Sequence, residues 1–303
     1  MKNAIFPFAI RLCPRGRGTR WGSLQAFTLV ELLVVIAILG ILAGILLPAL
    51  ARGKASGQRT YCLNNLRQVG LALQLYAGDH DDRLPYNMGT DGTRRTVAAG
   101  TYLNWVNNVM TWELDPDNTN TALLTQGGLG PFLSRVAGVY RCPADRALSD
   151  VQRAAGWSER VRSLSMNAML GHAGEFLAGG VNTNNPGYVQ FFRLTQVPRP
   201  ADIFAFIEEH PDSINDGYFL NRYGRYEWHD LPASYHEGAA NLSFADGHAE
   251  SHRWLFARTK PPPRPDAANL PLFVPARERD DWRWLLSRTT VPVPSPAKPT
   301  YTY

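Results

Sequence analysis

Residues 25–50 read "QAFTLVELLVVIAILGILAGILLPAL", and from Phe27 to Leu50 this run carries a single charge, Glu31. As a helix, those residues extend about 36 Å at 1.5 Å per residue, enough to cross the hydrocarbon of a bilayer. A carboxylate in hydrocarbon costs about 2.5–3.5 kcal/mol on insertion scales. Glu31 therefore needs a partner, and the run itself holds no cation.

Charge decides the orientation of this segment. The chain has a formal charge of +5, and five of its 31 basic residues (Lys2, Arg11, Arg15, Arg17 and Arg20) precede the apolar run, where there is no acid. The remaining residues carry 26 basic and 26 acidic side chains. Basic residues before the span and none beyond it until Arg52 place the N-terminus in the cytoplasm and the rest of the chain outside, in a periplasm where one exists. A neutral body lacks the electrostatic footprint that phosphate backbones require, so nucleic acid is not an expected partner.

Three kinds of segment compete for residues 1–50. A secretory signal would end at "LLPALA" (46–51), but the apolar region is about twice the usual 7–15 residues, and an acid near its start is foreign to such signals. A plain signal anchor fits the length and leaves Glu31 unexplained. The run "FTLVELLVVIAILGILAGILLPAL" closely resembles the N-terminus of type IV prepilins and of the pseudopilins of type II secretion systems. The resemblance implies that a prepilin peptidase removes a basic leader, residues 1–26, between Ala26 and Phe27, and N-methylates the new terminus. The family prefers glycine before the cut, and this chain has Ala26. Glu31 and Pro48 fall where the family keeps its glutamate and its helix-kinking proline. Glu31 of one subunit would then neutralise the Phe27 amine of the next, an ion pair that sets register more than it adds stability.

Beyond the span, Leu63, Leu66, Val69 or Gly70, Leu73, and Tyr76 or Ala77 recur every three or four residues, which predicts an amphipathic helix over 51–80 that continues the membrane span 27–50. "GDHDD" and Pro85 should end it. Residues 81–258 predict a globular α+β head, with strands or strand ends at "GVYRCPAD" (138–145), "RSLSMNAML" (162–170), "DIFAFIEE" (202–209) and "NLSFADGHAESHRW" (241–254). The fold class is α+β and pilin-like: a long N-terminal transmembrane helix packed on an antiparallel-sheet head. Ten of the 22 prolines lie in 259–303, which predicts an extended tail largely without a core; "DDWRWLLSR" (280–288) would dock as a short helix. Cys62 and Cys142 both fall in the exported part, where a disulfide between them and two separate buried thiols remain equally open.

The most structured motif of the head is His236, nine residues, then Asp246-Gly247. Asp-Gly between two strand-like runs predicts a two-residue type I′ hairpin that sets Ala245 opposite His248, Ser243 opposite Glu250 and Asn241 opposite His252. Together with "YCLNNLRQVGLALQLYAGDHDDRLP", "YRCPAD" and "SMNAM", this segment is similar to pseudopilin-related proteins of planctomycete and verrucomicrobial type. No biochemical role for it follows from that likeness. His236, Asp246, His248 and His252 are zinc-type donors, yet alternate residues on a flat strand spread over more than about a dozen Å. The plainer reading is a turn aspartate, a polar strand face and a hydrogen-bonded histidine. "DHDD" (79–82) and "DPDN" (115–118) offer oxygen ligands for calcium without the spacing of an EF-hand. Neither a nucleophile elbow nor a phosphate loop is present, so no cofactor and no enzymatic activity are expected.

The expected role is structural: a single-pass inner-membrane subunit of a secretion pseudopilus or pilus-like filament. Its partners would be the prepilin peptidase, other pilin or pseudopilin subunits in a homo- or hetero-polymer, an inner-membrane assembly platform and the lipid bilayer. The competing expectation is a periplasmic binding or metal-dependent hydrolytic domain that uses the helix only as a tether. That domain would need His236, Asp246, His248 and His252 to meet in one cleft.

Overall fold

The computed structural model describes residues 28–294, which fall into two units, Met1–Ala51 and Arg52–Tyr303. In the first unit every described side chain is exposed. These residues begin a helix, Leu29–Asp79, with Pro48 inside it. One helix among the described residues is long and apolar enough to cross a membrane, and it is this one. Its end is abrupt: Ala77 O accepts both His80 N and Asp82 N, and Asp81 and Asp82 take positive φ.

In the second unit the same helix buries Cys62, Asn65, Leu66, Val69, Gly70, Ala72, Leu73 and Ala77. The buried face therefore starts at Cys62, one residue before the expected Leu63, and it includes a polar Asn65. It lies on a five-stranded sheet whose spatial order is Tyr218–Phe219, Leu164–Asn167, Phe204–Glu208, Ala239–Phe244 and Ala249–Arg253. All neighbours are antiparallel except the first pair. This is the α+β arrangement predicted from the sequence, a long apolar helix followed by an antiparallel-rich head.

A bulge between Phe204 and Phe206 interrupts the alternation of the central strand. Consequently Phe204 and Ile207 face one core while Ala205 and Phe206 face the other. The first core gathers Leu66, Val69 and Leu73 of the helix with Trp105, Tyr140, Met166 and Phe206. The second gathers Leu242, Phe244, Trp228 and Trp254 with Trp282, Leu285 and Leu286. Those last three belong to the helix Arg279–Leu286. The proline-rich region up to residue 294 thus closes a core that it shares with the sheet, contrary to the expectation of an extension largely without one. Prolines interrupt the backbone ladder but leave Trp282, Leu285 and Leu286, spaced three and one apart, on one helical face.

Two further expectations need correction. "GVYRCPAD" forms a 3-10 turn, Ala137–Tyr140, followed by irregular chain, in place of a strand. The hairpin at Asp246-Gly247 exists, but its loop holds three residues. Phe244 N donates to His248 O, and Gly247 alone takes positive φ, at 91°. The register accordingly moves by one, pairing Ser243 with Ala249, Leu242 with Glu250 and Ala240 with His252.

Gly171 joins two parts of the head where a side chain has no room. Its φ is +82°, and a Cβ there would lie 2.1 Å from Pro85 O. Gly171→Ala combines left-handed strain with a backbone clash, so chemical denaturation of the detergent-solubilised chain should register a loss of about 2 kcal/mol or more.

Candidate functional site

Among the described residues, two places carry chemistry beyond packing: the start of the long helix, and a buried cluster between that helix and the sheet. At the first, Thr28 and Glu31 form a reciprocal cap. Glu31 Oε2 accepts from Thr28 N at 2.8 Å and from Thr28 Oγ1 at 2.7 Å, while Glu31 N donates to Thr28 Oγ1 at 3.2 Å. The pattern Thr-x-x-Glu before an apolar run is a capping box, a signal legible in the sequence but missed there. Glu31 itself is exposed. Ala26 and Phe27 lie outside the described residues, and Pro48 is exposed within the helix.

The second place assembles side chains that sequence reasoning treated separately. Cys62 comes from the long helix, Cys142 from the irregular chain after Ala137–Tyr140, Glu208 from the end of the central strand and His236 from the loop before Ala239–Phe244. Their donor atoms all lie within 4.8 Å of one another, and all four residues are buried. His236 Nε2 is 3.4 Å from Cys142 Sγ and 3.1 Å from Glu208 Oε1. Asn241 N donates to Glu208 Oε2 at 2.8 Å, and Cys142 N donates to Ser163 Oγ at 2.6 Å, so two ligand-bearing segments are fixed by the backbone. Both cysteines are free thiols, which leaves the disulfide reading without a bond and brings the two sulfurs into one cluster. The hydrogen bond with Cys62, followed by burial, pushes the Cys142 thiol well up. Burial opposes protonation of His236, but the hydrogen bonds to Cys142 and Glu208 outweigh it and raise the imidazole to about 10.

Of the four zinc-type donors considered from the sequence, only His236 joins this cluster. Asp246 and His248 pair with each other at the hairpin, Oδ1 to Nδ1 at 2.6 Å, and the His248 ring stacks on Phe244 at 4.4 Å. His252 stacks on Trp284 at 3.4 Å, where burial lowers it to about 4. The acidic loops are occupied by backbone: Asp82 accepts from Thr195 N, Asp117 from Val109 N, and Asp115 from Asp117 N.

The His-x9-Asp-Gly segment has a structural logic. Its first residue sits beside Cys62 on the long helix. Its hairpin loop meets the same helix further along, where a Cβ on Gly70 would be 3.5 Å from Gly247 Cα and where Gln74 Nε2 donates to Ala245 O. Both ends of the segment thus grip the long helix.

Comparison with known families gives one result, and it falls on the first of these places. Residues 25–47 match the prokaryotic N-terminal methylation motif. The matched stretch contains Ala26, Phe27 and Glu31 and most of the apolar run, on the helix that is long and apolar enough to cross a membrane. Comparison with characterised proteins and with solved structures yields no match.

Proposed function

We propose that this chain is a structural subunit of a type II secretion pseudopilus or a type IV pilus-like filament. The observation that carries the reading is the N-terminal methylation motif at 25–47 on a helix whose apolar side chains are all exposed from Leu29 through Ala51. A span of this kind needs a bilayer or other helices around it. Gly40 and Gly44 sit one turn apart with nothing within 4 Å of where a Cβ would be, a small-xxx-small pair that lets helices approach closely. In this reading the head is periplasmic, the basic leader is cytoplasmic, and an inner-membrane platform draws processed subunits into the fibre. The role is one of assembly, with no catalysis by the head.

Cleavage converts the amide of Phe27 into a cationic amine at the membrane face, and Glu31 of a neighbouring subunit supplies the opposite charge. Neither charge is tolerable in hydrocarbon alone, so pairing ties assembly to processing. The decisive measurement is mass spectrometry of the protein isolated from its own cells. The expected mature terminus is N-methylated Phe27. A chain that retains residues 1–26 in the membrane fraction would exclude a filament role and leave a tethered domain.

A further inference from the structure

We infer that Cys62, Cys142, His236 and Glu208 form a tetrahedral site for zinc, a structural metal that ties the long helix to the head. Two thiolates, an imidazole and a carboxylate are a donor set that suits zinc, and the sulfurs exclude calcium, which takes oxygen ligands.

The distances support the geometry. Bond lengths of about 2.3 Å to sulfur, 2.1 Å to nitrogen and 2.0 Å to oxygen place tetrahedral ligands about 3.6 Å apart for S···N and about 3.3 Å apart for N···O. Cys142 Sγ to His236 Nε2 is 3.4 Å, and His236 Nε2 to Glu208 Oε1 is 3.1 Å. No pair in the cluster exceeds 4.8 Å, which is within about 1 Å of the longest edge of such a site, S···S at about 3.8 Å.

Hydrogen bonding alone serves this cluster poorly. One imidazole nitrogen has at most one hydrogen, and Nε2 faces both a sulfur and a carboxylate oxygen. A single cation in the middle engages all four groups at once. The supporting contacts are already made: Asn241 N holds Glu208 Oε2, which leaves Oε1 turned toward the cluster. A cavity of about 230 Å³, lined by Arg52, Ala55, Ser56, Arg59, His236 and Glu237, provides an entry path beside the imidazole.

The charge also closes. Zinc forms two Zn–S bonds as two S–H bonds release their protons to solvent, the proton on His236 Nε2 leaves in the same way to free that lone pair, and ionised Glu208 completes the ligand set. The loaded site carries one net negative charge, and Arg52 and Arg59 line the neighbouring cavity. The four ligands come from four separate segments, so the metal would join the exported half of the long helix to the sheet independently of any assembly.

The test uses the full chain, purified in detergent under reductant and without chelator. Elemental analysis should find about one zinc per chain. After removal of the zinc, cobalt(II) titration should produce the intense visible bands of a tetrahedral thiolate site. Cys142→Ser and His236→Ala should weaken cobalt binding by more than the roughly 10–100-fold that loss of a supporting group produces. His236→Cys, which retains a zinc-type ligand, should restore the bands and so separates lost ligation from misfolding. The inference is overturned by absence of cobalt bands while both thiols remain titratable, by bands that survive Cys142→Ser and His236→Ala, or by a native Cys62–Cys142 disulfide.

Discussion

Glu31→Ala is expected to enter the membrane as the wild-type chain does and to be missing from assembled fibres. Removing a carboxylate from an apolar span eases insertion, since that carboxylate costs about 2.5–3.5 kcal/mol in hydrocarbon. What the variant loses is the partner for the amine created at Phe27. The capping box complicates the alanine result, because Glu31 also satisfies Thr28 N and Oγ1 at the start of the helix. Glu31→Gln separates the two roles, since glutamine serves the same capping position without a charge. Both variants should fall at least tenfold below wild type in the sheared filament fraction while remaining at wild-type levels in the membrane. Quantitative immunoblotting of the two fractions makes the comparison. If Glu31→Gln assembles normally while Glu31→Ala does not, helix capping is the operative role and the intersubunit ion pair is wrong.

The long helix was legible because its two signals, an unbroken apolar run and then a stripe every three or four residues, are local. The hairpin was legible as a turn but not in register. Asp-Gly specifies where the chain reverses, whereas the choice between a two- and a three-residue loop depends on whether Asp246 also takes positive φ, and only Gly247 does. The helix at Arg279–Leu286 was foreseen as an element, but its place in a core was obscured by the prolines around it.

The buried cluster was invisible for a different reason. Cys62, Cys142, Glu208 and His236 come from four distant segments, so no spacing rule links them, and only the three-dimensional packing does. Two clues were nevertheless present. Cys62 lies on the helical stripe, three or four residues before Asn65 and Leu66, and Glu208 closes the otherwise apolar strand Phe204–Glu208. A carboxylate on a strand buried on both faces needs a partner, by the same reasoning that drew attention to Glu31.

Arg162→Met should cost about 3–5 kcal/mol at neutral pH, the usual consequence of removing one member of a buried charged network. The guanidinium is fully buried. It donates to Asn108 Oδ1, Leu164 O, Ser165 Oγ, Asn215 O and Asp216 O at 2.6–3.2 Å. Methionine leaves five acceptors without that donor, and lysine, a compact point charge, cannot serve the same fork. The loss should also depend on pH, with a sign fixed by two buried acids. Burial raises Glu209 to about 8 and Asp216 to about 6, and Arg162 is among the groups that pull both back down. The folded state therefore retains protons that the unfolded chain gives up. The associated stability is complete below the ordinary carboxylate range and is lost as pH rises through about 6 and then about 8. Without Arg162 both acids rise further, so the gap between variant and wild type widens with pH. Burial lowers Arg162 itself only to about 10, so its own ionisation does not shape that window. Thermal melts of the full chain in detergent should place the variant on the order of 10 °C below wild type at pH 8 and measurably closer at pH 5. A deficit that stayed the same from pH 5 to pH 8 would mean that the guanidinium does not act on Glu209 and Asp216, and that its hydrogen bonds alone account for its worth.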